Sequence, residues 1–233
     1  MANEVRTTGE RIKLMVSSTV YGIEELLDQA YGLLTGFGYE VWMSHKGTVP
    51  VWLRQTALQN CLAAVARCDL FLCLITPQYG SGVVGDDLSI THRELLQAIA
   101  LYKPRWILAH DHVVFARSLL RKLGGKDEAT RRDLLAKLGF ADRDSLKKLR
   151  QRESAVLDDL RVIDMYEAAI RHDLKVYRER TGNWVQKFSA TEEANLFVAA
   201  QFSRYTDVEQ FLDENFRSPP ALPIRNAGSK ETP

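Results

Sequence analysis

Seven consecutive residues, Leu70 to Thr76 (LFLCLIT), carry six apolar side chains without interruption. A strand with one wet face alternates apolar and polar residues, whereas a strand covered on both faces reads as a continuous apolar run. The run is too short for a core helix. It therefore predicts a sheet with helices on both sides, and this strand is expected at its centre. Shorter apolar runs surround it: Ile12 to Val16, Tyr39 to Met43, Arg105 to Ala109, and Trp184 to Phe188. Between them, apolar residues recur at helical spacing. Ile23, Leu26, Leu27, Ala30, Leu33 and Leu34 form one such set, stopped by Gly36-Phe37-Gly38. Leu53 to Cys68 forms a second and Ser89 to Tyr102 a third.

Strand and helix alternate along residues 12–110, which is the pattern of a parallel sheet built from right-handed crossovers. The fold class expected is a parallel α/β sheet flanked by helices. From Val113 to about Arg180 leucines recur between dense charges of both signs, which predicts an inserted α-helical region. The last helix is expected over Glu192 to Phe216. The division that follows is an α/β domain over 1–112 plus 183–217, a helical insertion over 113–182, and a Pro-rich tail over 218–233.

Composition excludes several function classes. Thirty-one Lys and Arg face 30 Asp and Glu, a formal net charge of +1, so there is no global electrostatic footprint for nucleic acid. Residues 126–152 hold nine basic and five acidic side chains, a modest local excess of four that keeps nucleic-acid binding as a distant reading. The N-terminus lacks an apolar h-region and no stretch reaches 18 apolar residues, so a cytoplasmic protein without a membrane span is expected. Three cysteines in apolar surroundings suit reduced thiols. The five histidines are scattered without zinc-site spacing, so no metal is expected.

In parallel sheets ligands bind beyond the carboxyl ends of the strands. Three polar segments fall there. Ser17-Ser18-Thr19 follows the first strand, and its hydroxyls and freed N–H groups suit a phosphate or ribose, or equally a helix N-cap. Tyr79-Gly80-Ser81-Gly82 follows the central strand, and its glycines allow backbone to approach a ligand. It fits neither a Walker A motif nor a GxGxxG fingerprint. The third segment opens a helix with Ser89 as its cap, followed by His92, Arg93 and Glu94. Glu94 suits either the positive end of the helix or a pocket above the sheet. There it would act as nucleophile or electrostatic stabiliser of the oxocarbenium character that builds when an N-glycosidic bond breaks. His92 and Arg93 either hold anionic groups or face solvent. Asp69 lies at the opposite end of the central strand and is expected to cap or pair locally.

Taken together, Ser17-Ser18-Thr19, Cys68-Asp69, Tyr79-Gly80-Ser81, Ser89-Ile90-Thr91, Glu94 and Lys103-Pro104 follow in an order and spacing that resembles the uncharacterised domain family numbered 4062. That family is similar to TIR and nucleoside 2-deoxyribosyltransferase-like flavodoxin-type domains. The resemblance implies that Glu94 is the catalytic carboxylate, with Ser17, Ser18, Thr19, Tyr79, Gly80, Ser81 and His92 as substrate-binding residues. It implies an NAD or nucleotide glycohydrolase that takes NAD or a nucleotide as substrate, needs no cofactor, and serves bacterial antiviral defence or signalling. Activity would depend on a homo-oligomer or a partner protein. The alternative is a non-catalytic interaction and oligomerisation module of the same fold.

Overall fold

In the computed structural model the described residues are 10–80, 88–140, 156–174, 176, 179–180 and 183–217. Five strands, β1 (Lys13–Ser18), β2 (Glu40–Met43), β3 (Leu70–Ile75), β4 (Arg105–His110) and β5 (Asn183–Phe188), form one sheet in the order β2-β1-β3-β4-β5. Every pairing is parallel. This is the flavodoxin-like order, in which the direction of winding reverses between β1 and β3. The central position expected for the LFLCLIT run is the one observed.

Each face of β3 supplies its own core. Leu70, Leu72 and Leu74 enter one cluster, and Phe71, Cys73 and Ile75 the other. All six are at most 1% exposed. Burying a Leu, Ile or Phe side chain is worth about 1.5–3 kcal/mol, so this strand is a large share of the core. The first face is covered by α1 (Glu24–Gly36), α7 (Thr191–Phe202) and α8 (Tyr205–Leu212), through residues such as Leu27, Val198 and Leu212. The second is covered by α2 (Ala57–Arg67), α3 (Ile90–Ala100), α4 (Asp111–Lys122) and α6 (Arg161–Ala169), through Ala64, Leu95, Val113 and Val162.

Local chemistry explains where the elements depart from expectation. The second helix starts at Ala57 rather than Leu53, because Thr56 and Gln59 form a reciprocal capping box. Leu53 is left 97% exposed. The C-terminal segment is two α-helices closed by a π-helical turn (Asp213–Arg217), rather than one helix. Arg204 leaves helical dihedrals (φ −89°, ψ 62°), the Tyr39 hydroxyl takes the Phe202 carbonyl, and the Tyr205 hydroxyl accepts the Ile12 N–H. Strand β1 runs on through Ser17 and Ser18, which pair with Cys73 and Leu74. Those two serines therefore belong to the ladder and do not cap a helix. The residue before α1 is Ile23, with no side-chain cap.

The charged stretch between β4 and β5 contributes α4, α5 (Glu128–Lys137) and α6. One arginine joins the last two. Arg131, 5% exposed, bonds Asp164 and also Glu167 (2.8 Å), and Glu167 in turn accepts from Arg117 of α4 (3.0 Å). Among the described residues no helix is long and apolar enough to cross a membrane.

Candidate functional site

The site is built at the carboxyl edge of the sheet, where β1 and β3 part. On β3, Cys73 pairs with Ser17. Alternation sends Ser17 to the same face as Met15, and that face is covered by α2 and α3. Helix α3 begins with Ser89 as N-cap, accepting the His92 N–H at 3.3 Å, as its sequence position leads one to expect. The helix then presents Thr91, His92, Glu94, Leu95 and Ala98 to the protein interior.

Glu94 is 3% exposed. Its Oε2 accepts the Ser17 hydroxyl in a short hydrogen bond. Its Oε1 is buried and has no hydrogen-bond partner of ordinary geometry among the described residues. No ion pair holds this carboxyl among those residues. Burial raises its pKa from 4.5 to about 7, with Ser17 and then Cys61 pulling weakly the other way. The thiols of Cys61 and Cys73 feel the same carboxyl. Burial, and secondarily Glu94, pushes Cys61 up to about 12 and Cys73 higher still. The result is a carboxyl that changes charge near neutral pH, lined by a hydroxyl and two un-ionised thiols. Such a group can accept a proton, donate one, or stabilise developing positive charge once a reacting centre reaches it.

A second cluster surrounds Tyr79. Its hydroxyl accepts the Ser89 N–H (3.3 Å) and shares a hydrogen bond with His92 Nδ1 (2.8 Å). His92 is 5% exposed, so its ring neither faces solvent nor offers Nδ1 to an anion. Arg161 lies over the Tyr79 ring at 4.4 Å. Asp158 accepts the Tyr79 N–H (2.8 Å) and donates its own N–H to Pro77 (3.1 Å). Burial raises the Asp158 pKa against that hydrogen bond.

The hydroxyl segment meets the glycine loop through one pair. Gly80 has φ +84°, and a Cβ there would stand 2.8 Å from Thr19 Oγ1. Only glycine meets both conditions without strain. The Ser18 hydroxyl is turned onto the Thr19 carbonyl (2.9 Å). Ser81, Asp86 and Asp87 lie outside the described residues. Of the residues singled out in the sequence, the fold brings together Ser17 with Glu94, Thr19 with Gly80, and Tyr79 with His92.

Two other motifs have structural work at the opposite edge. Asp69 accepts the Lys13 N–H at 2.8 Å and so ties β3 to β1. Lys103 donates to the carbonyls of Ala66 and Cys68 (2.8 and 2.7 Å) and closes the end of α2. A cavity of about 400 Å³ is lined by Leu96, Ile99, Arg131 and Asp164, among others, and Glu94 is not part of its wall. Sequence reasoning missed Cys61, Cys73, Asp158 and Arg161 around the site. The thiols read as core residues, and the other two lie within the charged stretch.

No curated protein matches the chain. A solved structure of the TIR domains of the activated Roq1 resistosome, which directly recognises the pathogen effector XopQ, is similar at 11% identity. The likeness covers 88% of this chain and 99% of that one, at a TM-score of 0.37. The family described as "Domain of unknown function (DUF4062)" matches residues 13–161. That match spans more than half of the 233 residues, and the chain belongs to this family.

Proposed function

We propose that the chain is a TIR-like effector or signalling domain whose Glu94 acts at the N-glycosidic bond of NAD or a related nucleotide, in bacterial defence. The observation that carries this reading is the Glu94 carboxyl itself. It sits at the β1/β3 switch point, unpaired by any arginine among the described residues, with a pKa raised to about 7. A carboxyl kept in the interior for structure alone is normally neutralised by a cationic partner or fully hydrogen-bonded, because burying an unpaired charge is costly. Glu94 has no cationic partner among the described residues, and beyond Ser17 only the weakly donating Cys61 thiol reaches it.

The same burial argues that the described state is closed. At 3% exposure Glu94 cannot touch a sugar carbon. The reading therefore includes an opening step driven by assembly of copies or by a partner protein. The test is release of nicotinamide from NAD, or of free base from a nucleotide mixture, followed by mass spectrometry at rising protein concentration. Turnover that is lost in Glu94→Gln supports the proposal. Turnover retained in that variant removes Glu94 from the chemistry, and no turnover in any assembled state removes the enzyme reading.

The 3% exposure also favours a second reading, a non-catalytic interaction module in which Glu94 is a buried polar anchor between α3 and β1. In that case Glu94→Gln leaves partner binding intact while changing only the pH dependence of stability.

A further inference from the structure

Strand β4 ends at His110 and α4 begins at Asp111, with no residue between them. This abrupt junction makes His110 the N-cap of α4, and its Nδ1 accepts the His112 N–H at 3.2 Å. That bond uses the Nδ1 lone pair, so an ion bound at Nδ1 displaces the His112 N–H. Asp111 Oδ1 stands 3.1 Å from that nitrogen and is buried without a hydrogen-bond donor. His112 Nε2 lies 3.9 Å from the same oxygen, and the Nδ1 of that ring is likewise buried and unpartnered. The two rings sit 4.5 Å apart at 66°. One ligating atom from each of the three residues can be chosen so that all lie within 4.8 Å of one another. Asp111 Oδ1 is thus flanked by a nitrogen from each ring while no described hydrogen bond reaches it, and a cation satisfies such an arrangement.

We propose that His110, Asp111 and His112 bind one divalent transition-metal ion of the zinc type. Two imidazole nitrogens and a carboxylate oxygen are a donor set for first-row divalent metals, which leaves further coordination positions for water or a ligand. At bond lengths of about 2.0–2.2 Å, tetrahedral ligand atoms stand roughly 3.4 Å apart, so small side-chain rotations close the site. Asp111 and His112 keep 43% and 44% of their side-chain surface exposed, which gives an ion a path in. The negative Asp111 also offsets the positive end of α4. The histidines are scattered in composition, and the site exists because the strand passes directly into the helix.

The full chain, stripped of metal with a chelator, is dialysed against Zn²⁺, and bound metal per chain is measured by mass spectrometry. Affinity is then taken by competition with a chromogenic chelator. Wild type retains one Zn²⁺ per chain. Asp111→Asn, which preserves the shape of the first helical turn, and His112→Ala each bind at least about tenfold more weakly with an unchanged circular dichroism spectrum. Cys61→Ser binds as wild type. No retention by wild type, or equal retention by both ligand variants, overturns the proposal.

Discussion

Ser17, near the end of β1, donates its hydroxyl to Oε2 of Glu94 on α3, a partner 77 residues later in the sequence. This contact joins the first strand to the third helix across the point where the sheet reverses its winding. It is also the one hydroxyl hydrogen bond that the carboxyl receives among the described residues. Ser17→Ala leaves the buried carboxyl with no donor stronger than the Cys61 thiol. The expected loss is about 1–3 kcal/mol in denaturant unfolding at pH 8. A change below 0.5 kcal/mol would show that the bond contributes nothing net.

The pH dependence of Glu94 has a definite sign. Its folded pKa of about 7 lies above the ordinary 4.5, so the folded state holds its proton more tightly than the unfolded state. Stability from this group is complete below pH 4.5 and is lost as pH rises through 7. The span is on the order of 3 kcal/mol. Glu94→Gln removes that dependence. The difference between wild-type and variant unfolding free energies should shift in favour of the variant between pH 5 and pH 8. A difference that stays flat with pH contradicts the raised pKa.

Gly80 is fixed by two independent conditions, its positive φ and the 2.8 Å approach to Thr19 Oγ1. Gly80→Ala should cost at least about 1–2 kcal/mol from the backbone conformation alone. The contact with Thr19 adds to that. In a Thr19→Ala background the same substitution should cost less, and thermal unfolding of the four proteins measures the coupling. Equal costs in both backgrounds would mean that Thr19 swings away freely.

Arg131 serves two carboxylates, Asp164 and Glu167, at 5% exposure. Arg131→Met keeps most of the volume and removes the charge. Two acids are then left facing each other, and the cost should be about 3–5 kcal/mol. Asp164, whose pKa burial already raises, should rise further. The deficit should shrink at low pH, where the raised pKa favours protonation of Asp164, and denaturation at pH 4.5 and pH 8 checks this.

The alternation of strands and helices and the central place of β3 were legible because they depend on local signals: the unbroken LFLCLIT run, the helical spacing between strands, and Ser89 as a cap. The pairing of Ser17 with Glu94 was legible only as convergence at one edge of the sheet, since no periodicity records which face a hydroxyl takes. Cys61 and Cys73 escaped because a buried thiol and a core residue look alike in sequence. The break between α7 and α8 escaped for a different reason. It is set by Tyr39 and Tyr205 gripping the chain from a distance, and the apolar spacing runs through Arg204 undisturbed. Asp158 and Arg161 escaped because nothing in a charged stretch marks the two residues that reach back 79 and 82 positions to Tyr79.

Those last two residues have a mechanical meaning. Asp158 grips the backbone on either side of Gln78, and Arg161, the first residue of α6, lies over the Tyr79 ring whose hydroxyl holds both the start of α3 and His92. The outer crossover is thus fastened to the segment that follows β3 and, through Tyr79, to the first turn of the helix that carries Glu94. A force applied to α6 would be carried to the start of α3 through three side chains, Asp158, Arg161 and Tyr79, none of which is Glu94 itself.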